Sequence, residues 1–314
     1  IKDVDSLETG DKIYSVNREK ELIASVIGKK ELQNGLRIVG AHMDSPRIDL
    51  KPNPLFESGE LSFLDSHYYG GIKKYQWVTI PLSLHGVVIK DDGTRVNINI
   101  GEAETDPVFY ISDLLPHLGQ DQMKKKMSEA ISGEQLNILI GSIPLKDDEE
   151  ENEKVKQAIL NLLEEKYNIT GEDFVSADLE IVPAFKTREV GFDRGLLAGY
   201  GHDDRVCCYT ALKALTDLEE PENTATLLLV DKEEIGSMGS TGMKSRFFEN
   251  MVSEMVDKYY SEYSEILVRK TLQNSEALSG DVNAAYDPDF ADVYAKNNSA
   301  YLGKGIVLTK YTGA

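Results

Sequence analysis

Four separated places in the sequence carry side chains that could bind metal ions or move protons. They are His42 with Asp44, Asp203 with Asp204, Glu233 with Glu234, and Asp281. Metal-assisted hydrolysis near neutral pH needs imidazole and carboxylate ligands, together with a free carboxylate that takes a proton from a metal-activated water. The four places together therefore indicate hydrolytic metal chemistry.

His42 and Asp44 lie two residues apart at the end of the apolar run Leu36–Ala41. Because a strand alternates faces at every residue, both side chains are expected on the same side. Asp44 could then accept the second ring N–H of His42, which would fix the tautomer and strengthen the imidazole as a ligand. Such a pair is also common without a metal, so it does not define a site by itself.

Glu233 and Glu234 follow a second apolar run, Thr224–Val230. Adjacent acids at the end of a buried strand repel each other unless a cation or a proton compensates. One carboxylate can bind a metal while its neighbour acts as general base on a bridging water. For this pair alone, a solvated turn is the alternative.

Asp203 and Asp204 stand at the start of a predicted helix that ends near Leu218. A helix N-cap with an acidic first turn is one interpretation of the pair. The preceding segment 199–202 (Gly-Tyr-Gly-His) favours a site, because its glycines let the backbone bend. Asp281, in the segment 278–282, carries only a weak signal of its own.

The elements that must position these residues predict an open α/β sheet. Apolar strands alternate with a helix and end in polar groups, and such sheets bind ligands beyond their carboxyl edge. The middle of the chain predicts a β-rich region instead, because 82–90 and 94–100 alternate around Asp91-Asp92-Gly93, a hairpin signal. The segment 147–167 predicts an amphipathic helix with an acidic first turn.

The order and spacing of these pieces resemble the aspartyl aminopeptidases, a family of dinuclear zinc aminopeptidases. The matching stretches are Ala41–Arg47, Gly201–Arg205, Asp231–Ser237 and Ser279–Ala285. The resemblance implies a metal-dependent enzyme that hydrolyses the N-terminal residue of peptides.

The resemblance also implies a role for each site residue. His42 and Asp281 would bind one metal, Asp203 would bridge both metals, and Glu234 would bind the second. Glu233 would be the general base on a metal-bridging water, with Asp44 as the partner of His42. Asp204 is the fallback ligand, because the family's usual Asp-Asn pair is Asp203-Asp204 here. Two divalent ions are implied, with Zn²⁺ expected and Mn²⁺ or Co²⁺ as substitutes.

The architecture implied by the family is a mixed-sheet zinc-peptidase catalytic domain with helices on both faces. It would comprise residues 1–53 and 187–314, with residues 54–186 forming an inserted β-rich dimerisation domain. The family builds dodecamers from dimers and projects a histidine into a neighbouring active site, the position matched by His117. The family's second metal also takes a C-terminal histidine, which this sequence lacks. The chain, which opens on Ile1 and stops after the strand-like segment 306–308, is therefore expected to continue beyond Ala314.

Composition excludes several other classes of protein. The formal net charge of −20 leaves no basic surplus for nucleic-acid phosphates. No run approaches the roughly 18 apolar residues of a membrane helix, and the N-terminus lacks a signal-peptide layout. The two cysteines, Cys207 and Cys208, are adjacent and poorly placed to pair, which favours a reducing, cytoplasmic location.

Two alternatives to a peptidase remain. One is a non-catalytic assembly protein that retains the peptidase fold, because fold alone does not fix function. The other is a nucleotide-binding protein that uses the loop 236–245. A phosphate-binding loop needs Gly-Lys-Ser/Thr in sequence, whereas Met243 separates Gly242 from Lys244. A serine or cysteine hydrolase is disfavoured, because no Gly-x-Ser-x-Gly motif occurs and both cysteines lie in an apolar helical pattern.

Overall fold

The computed structural model describes residues 4–146 and 152–310. These residues form two compact units. The first contains the chain up to Asp44 together with the chain from Gly201 onward, and the second is Ser45–Tyr200. The sequence places the boundaries at 53/54 and 186/187 instead, and the catalytic and dimerisation roles of the two parts stay predictions.

The described residues contain thirteen strands and five α-helices. The strands are β1 Lys12–Asn17, β2 Glu21–Val26, β3 Arg37–His42, β4 Arg47–Ser58, β5 Leu61–Tyr69, β6 Leu82–Ile89, β7 Arg95–Ile100, β8 Ile138–Gly141, β9 Asp178–Pro183, β10 Arg188–Val190, β11 Leu196–Ala198, β12 Ala225–Val230 and β13 Glu276–Ser279. The helices are α1 Met127–Ala130, α2 Lys154–Tyr167, α3 His202–Thr216, α4 Phe247–Tyr259 and α5 Glu265–Gln273.

The first unit is built on a five-stranded mixed sheet of order β1-β2-β12-β3-β13. β3 pairs in parallel with both β12 and β13, while β2 pairs antiparallel with β1 and β12. The apolar runs in the sequence correctly predict β3 and β12, since a strand buried on both faces needs apolar residues throughout. Three parallel strands thus end at one edge of this sheet.

Helices cover both faces of that sheet, as the sequence predicts. Leu227 and Leu229 of β12 pack in a cluster with Cys208 and Leu215 of α3. Leu228, which lies between them, faces the opposite side of the sheet and packs in a cluster with residues of α4 and α5. Each fully buried aliphatic side chain of this kind contributes about 1.5–3 kcal/mol. Burial on both faces therefore fixes the register of β12 and the exit point of the chain at its end.

The second unit is β-rich, as predicted. Its six-stranded sheet has the order β7-β6-β9-β4-β5-β8, in which every pairing is antiparallel. β6 and β7 form the predicted hairpin, and Gly93 in its turn has φ +82°, a conformation that favours glycine. β10 and β11 form a separate two-stranded hairpin.

Two sequence predictions about elements are wrong in detail. α2 begins at Lys154 and has no acid in its first turn; its N-terminal amides donate instead to Glu57. Residues 147–151 of the predicted helix lie outside the described residues. Leu162, one of the apolar residues at helical spacing in the segment 147–167, is 41% exposed. The segment 306–308 is exposed and forms no strand.

Among the described residues, every helix is too short or too polar to cross a lipid bilayer.

Candidate metal centre

The carboxyl ends of three parallel strands supply most of the predicted ligands. His42 is the last residue of β3, and Asp281 comes two residues after β13. Glu233 and Glu234 begin a single 3₁₀ turn, Glu233–Ile235, shortly after β12. Because parallel strands end at the same edge, residues remote in sequence meet there.

The imidazole of His42 is the centre of this group. Its Nε2 atom lies 3.2 Å from Asp203 Oδ1, 3.8 Å from Asp281 Oδ1 and 3.9 Å from Glu233 Oε2. The His42 side chain is 4% exposed, whereas these three acids are about half exposed. One buried imidazole therefore faces a group of solvent-accessible carboxylates. We call His42, Asp203, Glu233, Glu234 and Asp281 the acidic cluster.

Asp44 contacts both the Nδ1 side of the His42 ring and the turn that carries the two glutamates. His42 Nδ1 lies 2.9 Å from the backbone oxygen of Asp44 and 3.4 Å from its Oδ1. The same carboxylate accepts the backbone N–H groups of Glu233 and Glu234 at 3.1 and 3.2 Å. The sequence anticipates a contact between Asp44 and the ring, but not this link to the turn.

Asp203 and Asp204 stand at the start of α3 and have different surroundings. Gly201 precedes them with φ +81°, and both acids depart from helical backbone angles, with a cis peptide bond between them. Asp203 projects toward His42 Nε2. Asp204 is fully buried, and its Oδ2 accepts the backbone N–H of His42 at 3.3 Å. The two adjacent acids therefore differ in access to solvent.

The donor set suits divalent cations. Two groups have ligand atoms that all lie within 4.8 Å of one another: His42, Asp203 and Glu234, and His42, Asp204 and Asp281. Imidazole nitrogen with carboxylate oxygens is the ligand chemistry of catalytic zinc sites. The first group joins three of the four predicted ligands, and the second joins the fourth to the fallback residue.

Crowding of negative charge shifts the pKa values of the cluster. Burial, repulsion from Asp203 and the charge of Asp44 raise the pKa of Glu234 to about 7, against the pull of His42. Burial and repulsion from Asp281 raise the pKa of Asp203. For His42, burial opposes the charged form, but hydrogen bonds to Asp44 and nearby acids outweigh it and raise the pKa to about 10. The site therefore favours added positive charge, which bound metal ions would supply.

The neighbouring thiols are held in their protonated form. Cys208 donates to the backbone oxygen of His42 at 3.0 Å. Burial and the nearby Asp204 carboxylate raise the pKa of both Cys207 and Cys208 to about 12. A thiol is a nucleophile only as thiolate, so these cysteines are suited to packing rather than to covalent catalysis.

His202 and His117 belong to neither of the two candidate ligand groups. His202 is an exposed residue at the start of α3. His117 lies in the second unit, exposed in a turn. The role expected of His117 requires a second copy of the chain and stays a prediction.

A mixed α/β sheet with imidazole and carboxylates at its carboxyl edge has the architecture of a metal-dependent hydrolase. The family model described as aminopeptidase I zinc metalloprotease (M18) matches residues 1–314. The chain belongs to this family, the Peptidase M18 family.

Individual relatives agree with this assignment. The chain is 57% identical over 310 residues to a probable M18 family aminopeptidase 1 of Clostridium acetobutylicum, covering 99% of this chain and 66% of the relative. It is 50% identical over 311 residues to the same kind of protein in Borreliella burgdorferi, covering 98% and 68%. The chain thus spans about two thirds of the length of these relatives.

Solved structures show the same fold. The crystal structure of an M18-family aminopeptidase from Thermotoga maritima matches with a TM-score of 0.90 at 47% identity, covering 95% of this chain and 65% of that one. The mApe1 dodecamer of S. cerevisiae matches with a TM-score of 0.72 at 24% identity, covering 93% and 65%. The second likeness establishes the fold alone.

Proposed function

We propose that this protein is a metal-dependent aminopeptidase that hydrolyses the N-terminal residue of peptides. The observation that carries the proposal is the convergence of Asp203, Glu233 and Asp281 on His42 Nε2 within 3.9 Å. Membership of the M18 family supports the reaction class.

The proposed centre holds two divalent ions, with Zn²⁺ as the expected metal and Mn²⁺ or Co²⁺ as substitutes. His42 and Asp281 would hold one ion, Glu234 would hold the other, and Asp203 would be a ligand of both. Asp203 is favoured over Asp204 because its side chain is about half exposed, whereas Asp204 is buried and engaged with the backbone of His42. When bound, such ions polarise a carbonyl oxygen and lower the pKa of water.

Glu233 is the proposed general base. Its Oε2 lies near His42 Nε2, and its side chain is 48% exposed, so water and substrate can reach it. Glu233 accepts the proton of the attacking water and later returns it to the leaving amine. Asp44 fixes the geometry from behind, because it contacts the His42 ring and accepts the backbone amides of both glutamates.

The wider proposal concerns assembly and location. We expect a homo-oligomer, with a dodecamer built from dimers as the specific form and His117 reaching a neighbouring active site. The dodecamer described for yeast mApe1 motivates this form. A cytoplasmic location agrees with the two free thiols, Cys207 and Cys208. Light scattering of the intact protein measures the assembly, and a monomer at micromolar concentration would contradict it.

Two alternatives make different demands on the molecule. A non-catalytic assembly protein would need no accessible base, yet Glu233 is exposed beside His42. A nucleotide site in the loop 236–245 would need the Lys244 amine, which instead donates to the backbone oxygen of Gly236 at 2.9 Å. Both observations favour the peptidase.

The test is amino-acid release from a panel of aminoacyl and peptide substrates by the intact protein. The protein is first stripped of metal, then assayed with Zn²⁺, Mn²⁺ or Co²⁺ and analysed for bound metal. We expect release of single N-terminal residues only with metal, and about two ions per chain. N-blocked peptides are the matched control and should not be cut. Absence of both metal binding and release after reconstitution would refute the proposal.

A further inference from the structure

The loop that follows the two glutamates is closed on itself at its base. Thr241 Oγ1 donates to Asp231 Oδ2 at 2.7 Å, and the Asp231 backbone N–H donates to the Thr241 oxygen at 3.2 Å. Asp231 also forms a parallel bridge with Gly242. We call residues 231–245 the glutamate loop, because Glu233 and Glu234 lie within it.

We call the hydrogen bond between Thr241 and Asp231 the tether. Both of its residues are buried, although the tip of the loop is exposed. Asp231 is 4% exposed and Thr241 is 5% exposed, whereas the segment 238–240 is exposed. A buried hydrogen bond to a carboxylate is a strong one, because the charge has little access to water. The one hydroxyl that the loop buries is therefore bound to the residue where the loop begins.

Further contacts make the loop compact. The Ser237 N–H donates to the Lys232 oxygen, and the Lys244 N–H donates to the Ser237 oxygen. A Cβ atom at Gly242 would lie 2.4 Å from the Ser237 oxygen, so the two arms touch where only glycine fits. Asn17 holds the tip from β1, donating to the Ser240 oxygen at 2.7 Å.

The first arm of the loop is the turn that presents the two glutamates. Asp44 binds the backbone amides of that turn from one side. The Asp231–Thr241 hydrogen bond holds the same loop at its base. The backbone that carries the two glutamates is therefore held at two points, at the turn itself and at the start of the loop.

We propose that Asp231 and Thr241 are positioning residues, which hold the glutamate loop closed so that Glu233 and Glu234 keep their places in the acidic cluster. This inference rests on the proposed function for its kinetic consequence, but its structural consequence can be measured by metal binding alone. Neither side chain is assigned to the metal ions or to the substrate.

The test compares Thr241→Val with Thr241→Ser in the intact protein. Valine keeps the volume of threonine but removes the donor, while serine restores the donor. We expect Thr241→Val to lower kcat about tenfold with KM within about twofold, because small displacements of catalytic groups are costly. Its zinc affinity, measured by titration of metal-free protein, should fall several-fold. Thr241→Ser should stay within about threefold of the parent in both quantities.

Thr226→Val is the matched control for lost stability. Thr226 lies at the far end of β12, where its hydroxyl forms a buried hydrogen bond of 2.9 Å with Ser25. Thr226→Val should lower the melting temperature without changing kcat or zinc affinity. If Thr241→Val does not fold, Asn17→Ala loosens the same loop from a less buried site and should lower kcat about threefold. This variant also removes the donor to Glu21, so its melting temperature is measured alongside kcat.

Two outcomes would overturn the inference. Zinc affinity and kcat unchanged in Thr241→Val would show that the tether does not position the glutamates. Equal damage from valine and serine would show that shape, not the hydrogen bond, matters. If the parent protein releases no amino acid, the proposed function fails, but the zinc titrations still decide the role of the tether.

Discussion

Two groups of acids in the first unit use the same residue types under opposite conditions. In the acidic cluster, Asp203, Glu233 and Asp281 are about half exposed and point at one imidazole. In the second group, Glu21 and Asp231 are 2% and 4% exposed. We call Glu21 and Asp231 the buried acid pair.

The two groups differ in what neutralises them. Thr241 donates to Asp231, Asn17 donates to Glu21 at 2.9 Å, and Lys232 Nζ lies 3.7 Å from Asp231 Oδ2. The protein's own donors thus serve the buried acid pair. The acidic cluster presents carboxylates that are open to an external cation. Accessibility and convergence, rather than the number of acids, distinguish the proposed metal site from acids that organise the fold.

The largest expected effect separates the two adjacent glutamates of the cluster. Glu233→Gln keeps shape and hydrogen bonding but cannot accept a proton, so turnover should fall about 10²-fold or more while metal content is retained. Glu234→Gln should instead weaken binding of one ion, because an amide is a poorer ligand than a carboxylate. Metal analysis and kcat of both variants decide the assignment. Loss of metal in the first variant but not in the second would reverse it.

A smaller effect distinguishes the two adjacent aspartates. Asp203→Asn should reduce zinc affinity by about 10- to 100-fold, since it replaces the proposed shared ligand. Asp204→Asn should cost less than about tenfold, because the new amide oxygen can still accept the His42 N–H. Zinc titration of metal-free protein measures both. If the order of the two losses is inverted, Asp204 is the ligand.

The smallest expected effect tests the buried acid pair through pH. Burial raises the pKa of Glu21 from 4.5 to about 7, despite the hydrogen bond from Asn17, and the charge of Asp231 adds to the rise. The folded state then holds the proton more tightly, so stability due to Glu21 is present below about pH 4.5 and is lost as pH rises through about 7. Glu21→Gln removes this loss and should be more stable than the parent at pH 8, by on the order of 1 to 3 kcal/mol.

The measurement is the difference in the free energy of unfolding between parent and Glu21→Gln, taken from pH 5 to pH 8 without metal. Titrating groups that do not interact with Glu21 contribute equally to both proteins and cancel in the difference. A difference that does not change with pH would mean that Glu21 is ionised in the folded protein throughout this range.

The sequence predicts two of the strands that carry the acidic cluster, β3 and β12, better than it predicts β13 or the surroundings of the individual acids. β3 and β12 are apolar on both faces, and the polar residues that end them mark the sheet edge. β13 gives no such signal, because all four of its residues are exposed. Burial of Asp204 beside exposed Asp203 depends on the backbone geometry at the start of α3, which residue types do not reveal.

The glutamate loop shows a second limit of sequence reasoning. Its glycines and lysine suggest a phosphate site, whereas in the structure Gly242 allows two backbone arms to touch and Lys244 binds a backbone oxygen. Thr241 carries no pattern that marks it. Only its burial and its bond to Asp231 identify it, and both arise from tertiary contacts.

The arrangement of the parallel strands also constrains how the protein is made. His42 is synthesised before the whole of the second unit, and Asp281 only after it, yet both belong to one edge of one sheet. A nascent chain therefore cannot complete the cluster until the segment around Asp281 has left the ribosome. Pairings between segments so far apart form late in folding, because a long chain must first be closed into a loop. A cation that binds this edge of the sheet would stabilise only chains in which β3 and β13 have already paired. Cation binding would therefore favour the folded state after this late pairing has formed.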